Sequence, residues 1–195
     1  MLKSFMIGLH DKSVEYNQKN IFSLLEKDPE AKLLDLGCDE GSFTLQIANK
    51  IGTKYIYGIE IVDERIRKAK NKGVKVSKSD LNKKFPFKDN FFDVVHANQV
   101  IEHLIDVDLF AEEIYRVLKP NDYAIISTEN LSSWHNLFAL FLGYQAFSQH
   151  ISSKYYIGNP VSPHQGERFD LKSWTHIKIF TYKGLKEFFK VHNFK

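Results

Sequence analysis

Apolar residues recur along the chain in two alternating ways: at helical spacing, and in short unbroken runs. The first helical stretch is 14–26, with Val14, Ile21, Phe22 and Leu25 on one side and Pro29 closing it. A buried strand is predicted at 32–37 (KLLDLG), then a helix at 42–51 with the stripe Phe43, Ile47, Ala48 and Ile51. Next come a strand at 55–61 (YIYGIEI), a polar helix at 63–71 with Asp63 as its N-cap, and a strand at 74–77. A turn-rich loop around Pro86 leads to a strand at 92–97 (FDVVHA). A helix follows at 106–118, with Val107, Phe110, Ala111, Ile114, Val117 and Leu118 at helical spacing. Pro120-Asn121-Asp122 ends it, and a strand is predicted at 123–128.

Strands alternating with helices at this spacing imply βαβ units, hence an α/β protein. With right-handed crossovers the result is a doubly wound, Rossmann-like and mostly parallel sheet with helices on both faces. Residues 131–180 break the rhythm. They are aromatic, turn-rich and His-bearing, and include Trp134, His135, Tyr144, His150, His164, Trp174 and His176. A helix is predicted again from Tyr182 to Val191. Without repeats or a linker, residues 1–195 read as one domain.

Composition narrows the class. At 43% apolar and 26% charged residues, the chain is neither disordered nor fibrous. The net charge of +3 comes mostly from scattered lysines, which gives little support for a nucleic-acid surface. The single cysteine excludes an internal disulfide and fits a reducing compartment. The longest late apolar run, 137–142, is far short of the ~20 residues of a spanning helix. The N-terminal stretch lacks a signal-peptide pattern, so the expected location is the cytoplasm.

The first strand-to-helix turn carries the candidate chemistry. In LLDLGCDEG (33–41), Gly37 and Gly41 let the backbone approach a ligand at the carboxyl end of the strand. A dinucleotide loop would place a glycine at 39 and a pyrophosphate on the helix N-terminus. Here Asp39 and Glu40 would repel that pyrophosphate. The loop suits a cationic ligand without phosphates, the character of S-adenosylmethionine. Glu60, at the end of the second strand, is spaced to accept ribose hydroxyls, and Asp80, after the third, to meet an adenine amine.

These residues, with FDVVHANQVIEHL (92–104) and EEIYRVLKPNDYAIISTEN (112–130), resemble the class I S-adenosylmethionine-dependent methyltransferases. The likeness covers about residues 30–130 and is closest to small-molecule methyltransferases of the quinone-biosynthesis, type 11-like group. It implies that Asp35, Gly37, Cys38 and Gly41 line the methionine and ribose side of the cofactor. It places Glu60 on the ribose, Ile61 against the adenine, Asp80 and the Leu81 backbone at the adenine edge, and Asn98 under the methionine part. S-adenosylhomocysteine is the implied product, and the implied activity is methyl transfer to oxygen or carbon of a small molecule. Two departures stand out. Asp39 replaces the usual middle glycine. The chain also reaches Lys195 where the family's terminal hairpin would begin: either the sequence is a fragment or the sheet edge is completed otherwise, and a truncated sheet would leave an exposed edge.

A base is needed only where the acceptor starts protonated; the candidates are His103, His164 and His150. The histidines lack a compact metal-ligand spacing along the chain, so no metal is expected. Cys38 reads as a small packing residue with nothing to activate it. Residues 131–180 are the expected substrate cover, with an amphipathic helix at 134–142 over the site. Nucleobase-methylating enzymes carry Asn-Pro-Pro-aromatic after the fourth strand; this chain has Asn98-Gln99-Val100-Ile101, which argues against nucleic acid. Two rivals remain at this level: a non-catalytic cofactor-binding module and a nicotinamide-dependent oxidoreductase.

Overall fold

The computed structural model describes residues 2–169 and 175–195; Trp174 lies outside the described residues. Five strands, β1 (Lys32–Leu36), β2 (Tyr55–Glu60), β3 (Lys75–Lys78), β4 (Phe92–Asn98) and β5 (Leu118–Ser127), form one sheet in the order β3-β2-β1-β4-β5. Every pairing is parallel; Leu34, for example, sits opposite Tyr57 on one side and Val95 on the other. A parallel sheet is covered on both faces, which is why its strands read as apolar runs instead of alternating.

The helices supply that cover. Helices α1 (Leu2–Leu24) and α2 (Ser42–Ile51) close one face, where Ile21, Leu25, Ile47 and Ile51 pack on Leu33 and Val94. Helix α3 (Asp63–Asn71) lies along β2 and β3 through Ile66 and Ala69. Helix α4 (Val107–Val117) covers the other face, with Phe110 and Ile114 fully buried against Leu36, Phe92 and Val95. The last two helices are α5 (Trp134–Phe141) and α6 (Tyr182–Val191); Leu185, Phe188 and Phe189 of α6 join the α4 cluster. Arg116 of α4 fixes the loop before β4: its guanidinium donates to the carbonyls of Phe85 and Phe87 and to Asp89 and Glu113.

The structure differs from the sequence pattern in instructive places. Helix α1 starts at Leu2, well before 14, and ends at Leu24; Val14 faces solvent, and the buried contact comes from Ile21 and from Leu25 just past the helix. Asp63 is not the N-cap of α3. Val62 holds that position, and the Asp63 carboxylate instead accepts from Lys78 Nζ at 2.7 Å. At α4 the cap is Asp106, which accepts the Leu109 N–H at 3.0 Å. Strand β5 starts at Leu118, not 123, because Leu118 already pairs with Phe92; a register shift then absorbs the Pro120-Asn121-Asp122 bend, with Asn121 left-handed at φ 70°. Among the described residues no strand follows β5, so β3 and β5 are the outer strands. Helix α5 is not the amphipathic element expected: Trp134, Phe138 and Phe141 point outward, and only Asn136 and Ala139 are buried. No helix among the described residues is long and apolar enough to cross a membrane.

Candidate functional site

A cleft of about 280 Å³ opens at the carboxyl ends of β1 and β4, lined by Asp35, Gly37, Cys38, Asp39, Glu40, Phe43, His96 and Asn98, with Gln18 of α1 also in its wall. The turn after β1 is built by left-handed residues at Gly37 (φ 71°), Asp39 (φ 48°) and Gly41 (φ 81°). Asp tolerates that region better than most side chains, so the missing middle glycine does not open the turn. Gly37 is required for a second reason: a Cβ there would lie 2.8 Å from Val100 Cγ2.

Glu60 is buried behind this turn and organises it. Its carboxylate accepts the amides of Ile61 and Val62 on Oε1 (2.8 and 2.9 Å) and of Asp39 on Oε2 (3.1 Å). A carboxylate has about four acceptor sites, so these three bonds leave room for one more partner on the same group. Asp80 lies beyond β3 and accepts the backbone and side-chain N–H of Asn82 (2.9 and 3.0 Å). The Asn82 backbone bond, against a smaller burial effect, holds its pKa below the usual value. Ile61 is half exposed, and Leu81 packs on the core beside it. None of these four is among the residues that line the cleft, whereas Asp35, Gly37, Cys38 and Asn98 line it directly. Gly41 stands at the start of α2 with Ala69 and Val74 close behind it. Asn98 Oδ1 accepts from Asn17 of α1 (2.8 Å) and from Ser127 of β5 (2.6 Å).

His96 and Thr44 were not singled out by the sequence reading. The fully buried Thr44 hydroxyl donates to Asp35 at 2.5 Å, and His96 Nδ1 donates to the other Asp35 oxygen at 2.7 Å. His96 Nε2 is buried without a partner and belongs to the cleft wall. The available signal was a lone imidazole inside the apolar strand FDVVHA.

The histidine candidates separate in space. His103 ends a short 3-10 turn, Ile101–His103, and its ring meets His176 at 4.9 Å between centroids. Burial, helped by neighbouring His176, holds His103 below its ordinary pKa. His150 stacks on His176 at 4.5 Å and is pushed down to about 4, chiefly by burial. His164 is exposed, paired with Glu167 at 2.7 Å, and does not line the cleft. The preceding Glu102 is fully buried.

Cys38 is buried, and its thiol is pushed up to about 12 by burial first, then by the charges of Asp35 and Glu60. At pH 8 the thiolate fraction is then about one in ten thousand. Alkylation of the native protein by iodoacetamide is expected to be slow, to quicken as pH rises, and to become rapid in urea. Native labelling as fast as that of a free cysteine peptide would contradict this placement.

Comparison with known proteins agrees with this architecture. The sequence profile of a family described as "Methyltransferase domain" matches residues 27–177. An uncharacterized methyltransferase of Schizosaccharomyces pombe is 31% identical over 114 residues, 52% of this chain and 41% of that protein. A ubiquinone biosynthesis O-methyltransferase of Rickettsia prowazekii is 26% identical over 181 residues, 88% of this chain and 68% of that protein. This chain thus spans less than half the length of the first of these relatives. Among solved structures, an S-adenosylmethionine-dependent methyltransferase of Thermotoga maritima, titled a possible histamine N-methyltransferase, superposes with TM-score 0.64 at 19% identity, covering 92% of this chain and 69% of that one. The profile match across most of the chain, on a five-stranded parallel sheet with a glycine turn after β1, places this protein in the class I S-adenosylmethionine-dependent methyltransferase family.

Proposed function

We propose that this chain binds S-adenosylmethionine in the β1–β4 cleft and transfers its methyl group to oxygen or carbon of a small molecule. The observation that carries the reading is the cleft wall itself: Asp35, Asp39 and Glu40 line a glycine turn, and the cations beside it, Arg65 on Asp39 at 3.1 Å and Lys72 on Glu40 at 3.2 Å, are already engaged by those carboxylates and not held for phosphates. His96 Nε2, buried without a partner, adds an unsatisfied polar atom on the same wall. The residues present fit a cationic nucleoside.

In this reading Asp35, Gly37, Cys38 and Gly41 hold the methionine and ribose side. Glu60 takes a ribose hydroxyl on its remaining acceptor site, Ile61 lies along the adenine, and Asp80 with the Leu81 amide meets the adenine edge. Asn98 faces the acceptor. The cofactor supplies an activated methyl group on a sulfonium and leaves as S-adenosylhomocysteine. The chain contributes alignment and exclusion of water, effects worth up to ~7–11 kcal/mol when the reacting atoms are held in line. Where the acceptor is a hydroxyl, His103, whose pKa burial lowers, is the first candidate base and His164 the second; neither lines the cleft, so each acts only if the acceptor reaches beyond it.

Support for a small acceptor comes from relatives whose names specify quinone substrates, among them a 2-phytyl-1,4-naphtoquinone methyltransferase of Nostoc punctiforme, 32% identical over 103 residues. We read residues 1–195 as one domain, with 131–180 covering the acceptor, a cytoplasmic location and no nucleic-acid partner. Titration calorimetry tests the proposal: S-adenosylmethionine and S-adenosylhomocysteine should bind at one site per chain, and NAD should not. NAD binding alone would favour an oxidoreductase. Cofactor binding without methyl transfer across a phenol and quinol panel would favour a non-catalytic module.

A further inference from the structure

Five buried side-chain polar atoms among the described residues lack a partner, and four of them, Glu102 Oε1, Glu102 Oε2, Thr128 Oγ1 and Thr175 Oγ1, gather where the chain returns past β4 and β5. The fully buried Glu102 carboxyl is the costly member: burial raises its pKa against the weaker pull of the Thr128 hydroxyl and His176, so holding it ionised takes a counter-charge. Two imidazoles stand beside it. Ligand-capable atoms of Glu102, His103 and His176 all lie within 4.8 Å of one another.

The tautomers are set for coordination. His103 Nδ1 donates to the Thr175 carbonyl (3.3 Å), and His176 Nδ1 donates to the Ser148 carbonyl (2.7 Å). Each Nε2 is thereby left as the lone-pair nitrogen, and a carbonyl on the other ring nitrogen is what orients a metal-bound histidine. His150 is excluded as a ligand through Nδ1, since that atom accepts the His176 backbone N–H at 3.0 Å. Two imidazoles and a carboxylate form a donor set used for zinc and other divalent transition metals, with further positions left to water or another oxygen.

We propose that Glu102, His103 and His176 bind one divalent transition-metal ion, which clamps the 175–180 return segment to the turn after β4. The segment is already tied there by backbone: the amides of Ile177 and Lys178 donate to the Glu102 carbonyl (2.7 and 3.2 Å), and Leu131 donates to Phe180 (2.8 Å). An ion adds a tie between side chains distant in sequence. The expectation of no metal rested on spacing along the chain. That spacing places His176 far from the Glu102-His103 pair, and the fold brings them together. The proposal does not require methyl transfer, but it excludes one role proposed above: a metal-bound His103 Nε2 has no lone pair for the acceptor's proton, so with the ion in place His103 is a ligand and not the base.

The test uses the untagged full chain, stripped with chelator and titrated with Zn²⁺, and with Co²⁺ as an absorbing substitute. Expected are one ion per chain, visible Co²⁺ bands of four- or five-coordination, and a Tm raised by roughly 5–10 °C at a hundredfold excess over Kd. Zn²⁺ should also slow hydrogen exchange at 175–180. His176→Ala and Glu102→Gln should each weaken binding at least ~100-fold and abolish both effects. Of the two, His176→Ala is the safer variant because His176 is only partly buried. The proposal is overturned if no ion is retained at micromolar free Zn²⁺. It is equally overturned if both variants bind as the parent does, which means an adventitious ion only.

Discussion

Glu60→Gln is expected to weaken S-adenosylmethionine binding by about 1.5–3 kcal/mol, roughly 10- to 150-fold, the worth of hydrogen bonds to a charged acceptor. The carboxamide keeps one oxygen for the Ile61 and Val62 amides, which both sit on Oε1. Its NH₂ then faces the Asp39 amide, donor against donor, and the glycine turn loosens. Glu60→Ala goes further, since all three amides lose their acceptor, and folding stability should fall by about 3 kcal/mol or more. Calorimetry of cofactor binding beside urea unfolding separates the two effects. An unchanged cofactor affinity in Glu60→Gln would remove Glu60 from the ribose site, whatever happened to stability.

Phe110→Ala carries the largest expected loss of stability, about 3–5 kcal/mol. Phe110 is fully buried, meets Phe85 edge-on at 6.0 Å, and belongs to the cluster that joins α4 to β1 and β4. The truncation leaves a cavity that neighbouring Phe92 and Ile114 cannot fill without leaving their own contacts. Against the 5–15 kcal/mol usual for a domain, this is a large share. The urea midpoint should drop with the slope unchanged. Trp134→Ala is the contrast: at 87% exposure Trp134 has little packing to lose, and the change should stay within ~0.5 kcal/mol. A small effect at Phe110 would mean that α4 is not packed as described.

Much of this was legible in the chain because parallel strands must be apolar throughout and their connecting helices apolar on one side. The runs at Leu33–Leu36 and Val94–Ala97 and the stripe through Phe110 and Ile114 could mean little else. The glycine turn was legible for a steric reason, and Asp39 showed that the requirement is a left-handed backbone and not glycine itself. What escaped was set by distance in space. The Asp35 pairing with His96 joins β1 to β4, and the meeting of His103 with His176 joins a turn to a distant return segment. Neither leaves a local spacing. Helix ends were misread where a side chain had a better partner elsewhere, as Asp63 did in Lys78. Helix α5 was misread because apolar periodicity tells nothing of which way a helix is turned when few neighbours bury it.

The bond from Asn17 to Asn98 ties the first helix to a residue of the cleft wall. Helix α1 is anchored by Ile21 and, just past its end, by Leu25, while Gln18 lines the cleft. The tie between them is one neutral hydrogen bond, worth about 1 kcal/mol. Losing it leaves the apolar anchor in place, with the Phe22 ring still 5.6 Å from Phe43 of the cleft wall. Asn17→Ala is therefore expected to cost no more than about 1 kcal/mol of stability, while Asn98 Oδ1, left with Ser127 as its donor, gains an open acceptor site toward the cleft's contents.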